Sequence, residues 1–157
     1  MLKSTPDQEP EAHRRGVALE KEGKLEQALA AFSELSTQDD YSHLARSLCR
    51  GRILWKLQRL EEAVEAYQKA ISIKPDSEIG TLGLYHTLMD CGRFDEAVEE
   101  GKRFFQGTAL QPRENPNIEK YRMDIVAFQG MGDDFLNTCR KQARERAEKL
   151  LQARSDT

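Results

Sequence analysis

One segment of this chain occurs three times, at a spacing of 34 to 35 residues. The stretch from Arg15 to Phe32 aligns with the stretch from Arg50 to Tyr67, which lies 35 residues later. A third copy around Gly92 follows 34 residues after the second. Repeats of this length are typical of stacked supersecondary units, each of which buries its apolar face only against its neighbours. The spacing therefore predicts a stack of similar units that share one continuous core.

The composition indicates that these units are helical. Charged residues make up 32% of the 157 residues, and proline occurs only at the edges of the periodic segments. Long stretches are thus left without helix breakers, and no stretch alternates between apolar and polar residues as a strand does. We therefore expect an all-α fold.

The charge balance gives no reason to expect nucleic acid or a membrane as partner. The formal net charge is −3, from 24 basic and 27 acidic side chains of interspersed sign. No apolar run approaches the roughly 20 residues that span a bilayer. The first ten residues also lack the apolar stretch of a secretory signal. We expect a cytoplasmic protein.

Glycine and proline positions divide the chain into helix pairs. Residues 1–10 are polar and contain two prolines, so we expect a disordered lead before a single domain at 11–154. The predicted pairs cover about residues 11–36, 41–74, 77–106 and, in degenerate form, 118–153. The turn of the fourth pair, at Gly132-Asp133, resembles the one at Gly92-Arg93 but lies 40 residues later rather than 34. Residues 107–117, which contain Gly, Asn and two Pro, are predicted to form an inserted, exposed loop.

The small and aromatic residues of the repeats resemble those of the tetratricopeptide repeat family. The matching positions are Gly16, Leu19, Gly23, Ala28 and Phe32, then Gly51, Leu54, Ala63, Tyr67, Ala70 and Pro75, then Leu84, Leu88, Gly92, Phe94 and Ala97. The resemblance implies an α-α superhelix of about three and a half to four helix-turn-helix repeats. Gly16 and Gly51 are expected to let paired helices approach closely, while Phe32 and Tyr67 fill the space between repeats.

In this family the first helices of successive repeats line a concave groove that binds peptides. The groove residues implied here are Leu48, Arg52, Trp55, Ile79, Leu82, His86, Met89, Arg122 and Val126. Leu48, Arg52 and Trp55 are spaced i, i+4, i+7 and form one helical stripe, and the same spacing recurs 34 residues later. The two stripes should therefore lie side by side.

Such an apolar strip, edged by Arg52, His86 and Arg122, would suit an amphipathic helix or an extended segment that carries an acidic residue. It contains the only tryptophan of the chain, a residue type enriched at binding hot spots. The alternative is that Trp55 and Met89 belong to the core between repeats or are covered by the protein's own tail.

No residue pattern indicates catalysis. The three histidines have no Cys, Ser or carboxylate at a spacing that identifies a nucleophile or a metal pair. The three cysteines are far apart, and no pair of them has metal-ligand spacing. We therefore predict no catalytic residue, metal, cofactor or small-molecule substrate.

These features predict a non-catalytic adaptor or chaperone-like module whose partner is a protein or peptide. One alternative is a structural role, in which the repeats self-associate or dock onto a larger complex. A second is RNA binding through the basic run of the last helix, which Glu145 and Glu148 interrupt. Neither the partner's identity nor the oligomeric state follows from the sequence.

Overall fold

The computed structural model describes residues 10–106 and 111–156, and all regular structure in these two ranges is helical. Its eight helices are α1 (Glu11–Lys21), α2 (Leu25–Ser33), α3 (Asp40–Lys56), α4 (Leu60–Ile73), α5 (Glu78–Asp90), α6 (Phe94–Phe104), α7 (Pro116–Gly130) and α8 (Asp133–Ser155). The predicted all-α class is thus confirmed. No helix in the described ranges is long and apolar enough to cross a membrane. The predicted N-terminal lead and part of the predicted loop, residues 1–9 and 107–110, lie outside the described residues.

Side-chain caps fix where three of the first helices begin. Asp39 accepts a 2.8 Å hydrogen bond from the Ser42 amide at the start of α3, and Ser77 accepts one of 3.0 Å from Gly80 at the start of α5. Asn115 caps α7 just before a proline in its first turn. Each cap satisfies an amide that has no partner within the helix, so the sequence sets these starts locally.

The first three helix pairs share one kind of turn. Gly23, Gln58 and Gly92 each follow a first helix and have φ of 76°, 60° and 74°. One residue in this left-handed region ends a helix and reverses the chain, and glycine adopts it without steric cost. As a result, α1 packs on α2, α3 on α4 and α5 on α6.

The fourth turn does not follow this pattern. Met131 has φ −94° and ψ 148°, and Gly132 has φ −76° and ψ 168°, so both are extended. The prediction that Gly132-Asp133 repeats the turn at Gly92-Arg93 is therefore wrong, because no left-handed residue reverses the chain here. α8 consequently packs against α5 and α6 instead of lying back along α7.

Glycines allow the close helix contacts that position the repeats. The Tyr67 ring lies between Gly51 of α3 and Gly83 of α5. A Cβ added to Gly51 would stand 2.9 Å from Cζ of Tyr67. A Cβ added to Gly83 would stand only 2.3 Å from Cε1 of Tyr67. A Cβ on Gly16 would stand 2.6 Å from the Phe32 ring. The expected roles of Gly16 and Gly51 are confirmed. Gly83 allows the close contact of α5 with Tyr67 of the preceding repeat.

The second helices contribute their smallest side chains to the core. Ala28, Ala63 and Ala97 are 0% exposed. Gly101 lies on α6 at the position of the repeat aromatic, and a Cβ there would stand 2.2 Å from Cδ1 of Ile125. Ile125 thus fills this space from α7 and joins the fourth first helix to the stack.

Candidate protein-binding groove

The first helices of successive repeats are neighbours, since α3 contacts α5 and α5 contacts α7. None of the residues expected to line the groove is fully buried. Trp55 is 37% exposed and Ile79 66% exposed, and His86 is also exposed. The half-buried ones are Leu48, Arg52, Leu82, Met89, Arg122 and Val126.

Trp55 is neither a core residue nor a freely exposed one. Its indole N–H donates a 2.8 Å hydrogen bond to Oδ2 of Asp90, which is only 6% exposed. The other carboxylate oxygen, Oδ1, lies 2.9 Å from Nη2 of Arg146 on α8. Trp55 is therefore linked to the C-terminal helix through Asp90, while more than a third of its surface stays accessible.

Arg52 is held by the preceding repeat. Its Nε and Nη2 donate to Oε1 and Oε2 of Glu20 over 2.9 and 2.8 Å, and the Lys56 ammonium lies 2.6 Å from Oε1. These contacts, led by the Arg52 hydrogen bonds, lower the pKa of Glu20 to about 2. Two cations thus share one carboxylate at this end of the groove.

The apolar groove residues lie between the core and the surface. Leu48, Leu82 and Met89 pack against the buried cluster of the second to fourth repeats. Ile79 projects further, as its 66% exposure shows. A partner could therefore bury apolar surface here without moving the core.

His86 and Arg122 differ in charge: burial favours the neutral form of the His86 imidazole, whereas Arg122 is a cation paired with a carboxylate. Desolvation of the buried part of the His86 ring lowers its pKa, which favours the neutral imidazole. Arg122 makes a two-point contact with Glu119 of its own helix, Nε to Oε2 at 2.8 Å and Nη2 to Oε1 at 2.6 Å. The guanidinium of Arg122 is thus already engaged by a carboxylate.

Three residues that contact the expected groove residues or one another were not among the groove residues expected from the sequence: Glu20, Asp90 and Arg146. Glu20 lies one 35-residue period before Trp55, so the repeat alignment places it at a predicted groove position. Asp90 lies one 34-residue period after Lys56 and directly follows the predicted groove residue Met89. Arg146 had no such signal, because the position of α8 depends on the unpredicted fourth turn.

The fold defines an α-helical repeat protein of the α-α superhelix class. A family model described as tetratricopeptide repeat matches residues 50–77, which cover the end of α3, the turn at Gln58 and all of α4. This match supports the predicted tetratricopeptide repeat assignment and locates it on the second helix pair. A search of curated proteins finds no match. Tetratricopeptide repeats are typically non-catalytic modules for protein–protein interaction.

Proposed function

We propose that the chain is a non-catalytic adaptor or chaperone-like protein that binds a peptide or helix of its partner in the groove formed by α3, α5 and α7. The observation that carries this proposal is the exposure of Trp55 and Ile79 on adjacent first helices. Tryptophan is enriched among interface hot spots, and aromatic residues and methionine are enriched at interfaces. The cytoplasmic location expected from the sequence is retained as part of the proposal.

The charges at the groove indicate what the partner carries. Arg52 and Lys56 together bear one positive charge more than Glu20 neutralises. An acidic side chain of the partner would complement this excess, while apolar side chains cover Trp55 and Ile79. The segment that fits is an amphipathic helix or extended peptide with an acidic residue near Arg52.

The basic last helix supports a protein partner over RNA. The Arg140 guanidinium lies 2.9 Å from Asp95, and that of Arg146 lies 2.9 Å from Asp90. Carboxylates of the protein itself thus neutralise two of the charges that would otherwise contact phosphates.

A peptide selection tests the proposal. Peptides are selected from a random display library on the immobilised full chain, and their dissociation constants are then measured by fluorescence anisotropy. Ile79→Asp should weaken binding by about 2 kcal/mol, roughly 30-fold, because it places a charge where apolar surface is buried.

The matched control is Ala30→Asp, which adds the same charge at an exposed site on α2. It should leave the affinity within about twofold of wild type, as a remote surface change does. Equal affinities of the two variants for most selected peptides would contradict groove binding.

A further inference from the structure

α8 lies on the rest of the protein through a stripe of small and apolar side chains. Leu136, Cys139, Ala143, Ala147 and Leu150 follow one another at intervals of three or four residues, so they share one face of the helix. Ala143 is the only buried residue of α8, in a cluster with side chains of α6. α8 therefore packs against the rest of the protein without a large buried side chain of its own.

Arginines at the margins of this stripe meet acidic residues of the third repeat. Nε of Arg140 donates to Oδ1 of Asp95 on α6 over 2.9 Å. Nη2 of Arg146 lies 2.9 Å from Oδ1 of Asp90 on α5. The basic side chains of α8 and the acidic side chains of the third repeat are thus complementary in charge at two separate contacts.

The surface under α8 is formed by two successive interhelical turns, at Gln58 and Gly92, and we call it the turn edge. A Cβ added to Gly92 would stand 3.1 Å from Cβ of Ala147 and 3.3 Å from Cα of Arg144, so the α8 backbone lies directly over this turn. Nη1 of Arg154 donates to the Gln58 carbonyl oxygen over 2.8 Å. α8 therefore spans the turn edge from the third repeat to the second.

The contacts that hold α8 are of a kind that a competing helix can replace. Exposed ion pairs contribute little each, and the side chains of Asp95 and Arg146 are both 66% exposed. The Asp90 side chain, by contrast, is buried, and its two oxygens contact the Arg146 guanidinium and the Trp55 indole N–H. A helix that displaces α8 and carries an arginine or lysine opposite Asp90 would replace the ion pair that Arg146 makes.

We propose that the turn edge is a docking surface for a basic amphipathic helix of another protein, and that α8 occupies this surface until such a helix replaces it. The matching helix carries small residues on the face that meets Gly92 and cations on its flanks toward Asp90 and Asp95. The turn edge meets the groove at Asp90, which also accepts the Trp55 hydrogen bond. The test below uses no groove-binding peptide, so the inference does not rest on the proposed function.

The test uses a fluorescent peptide with the sequence of residues 133–155 as the competing helix, and the full chain as the receptor. Reversing the two charges of α8 that face the turn edge, Arg140→Glu with Arg146→Glu, should release α8. The released surface should bind the peptide roughly tenfold more tightly than wild type, because the resident helix no longer competes. Amide hydrogen exchange in α8 should also become faster.

The control variant is Lys141→Glu with Lys149→Glu, which changes the net charge equally through exposed side chains of α8. It should bind the peptide as wild type does. A peptide that itself carries both arginine reversals should not bind any receptor variant. Circular dichroism checks folding, and Arg140→Gln with Arg146→Gln replaces the reversal variant if that variant unfolds.

Three results would overturn the inference. Equal peptide affinity in the reversal and control variants would show that α8 does not compete for the turn edge. Unchanged hydrogen exchange of α8 would show that these ion pairs do not hold it. A wild-type mass that doubles with rising concentration, and does not double in the reversal variant, would make a second copy the occupant.

Discussion

The indole N–H of Trp55 and the Oδ2 atom of Asp90 form a 2.8 Å hydrogen bond that joins α3 to α5. The two residues lie near the C-terminal ends of their helices, one repeat apart, and Asp90 also forms an ion pair with Arg146 of α8. Trp55 is therefore a structural hydrogen-bond donor, and in the proposed function it is also an accessible groove residue. Its substitution should affect both stability and binding.

Trp55→Phe removes the indole N–H that donates to Asp90 and keeps an aromatic ring at this position. The variant should lower the free energy of unfolding by about 1–3 kcal/mol, because the buried Asp90 carboxylate loses a donor. Urea unfolding followed by circular dichroism measures the change. The control is Tyr41→Phe, which alters a 71% exposed ring on the same helix. Equal stability losses in the two variants would contradict a structural role for the bond.

Glu20 should make stability depend on pH in the acid range. Its pKa is lowered from 4.5 to about 2 in the folded protein, so the unfolded chain binds the proton more tightly. The stabilisation by Glu20 is complete above about pH 4.5 and is lost as the pH falls toward 2. Wild type should therefore lose more stability over this range than Glu20→Gln does.

The measurement is urea unfolding of both proteins at several pH values, with Glu65→Gln on the exposed face of α4 as control. The control should follow wild type. If the free energies of unfolding of wild type and Glu20→Gln fall in parallel as the pH is lowered, the assigned role of the Arg52 and Lys56 contacts is contradicted.

Gly83→Ala tests the contact between the second and third repeats. The added Cβ would stand 2.3 Å from Tyr67, whose ring is buried between α3 and α5. Overpacking costs about 1–3 kcal/mol and outweighs the gain of roughly 1 kcal/mol from helix propensity. Thermal unfolding should show a lower midpoint. The control is Gly130→Ala, whose added Cβ would meet no neighbouring atom within 4 Å. Its unfolding midpoint should be unchanged or higher.

Ala63→Leu tests the small residue of the second helices. Ala63 is 0% exposed, so the larger side chain should destabilise the central repeat by about 1–3 kcal/mol. Ala30→Leu places the same change at an exposed position of α2 and should be neutral. If urea midpoints show no difference between these two variants, the packing of α3 on α4 is not as described.

The sequence predicted the features that depend on local or periodic signals. Ala28 and Ala63 recur one period apart and mark the helix contacts, and Pro75 ends the second pair. Gly132 misled the prediction, because glycine permits a left-handed turn but does not impose one, and here it is extended.

Contacts between distant segments could not be predicted. Arg154 reaches Gln58 across 96 residues, and Arg140 reaches Asp95 across 45, with no shared period to connect them. The position of α8 thus depends on the fourth turn and on the small residues that fit over Gly92. The proposed groove residues remain a prediction, which rests on the repetition that places them on one helix face.

The proposed function requires that a protein partner binds on the first helices. Nuclear magnetic resonance of the isotope-labelled full chain, titrated with the tightest selected peptide, tests this most directly. The largest amide shifts should fall on α3, α5 and α7, around Trp55, Ile79 and Leu82. Shifts confined to α2, α4 and α6, with the amides around Trp55 unmoved, would contradict the claim.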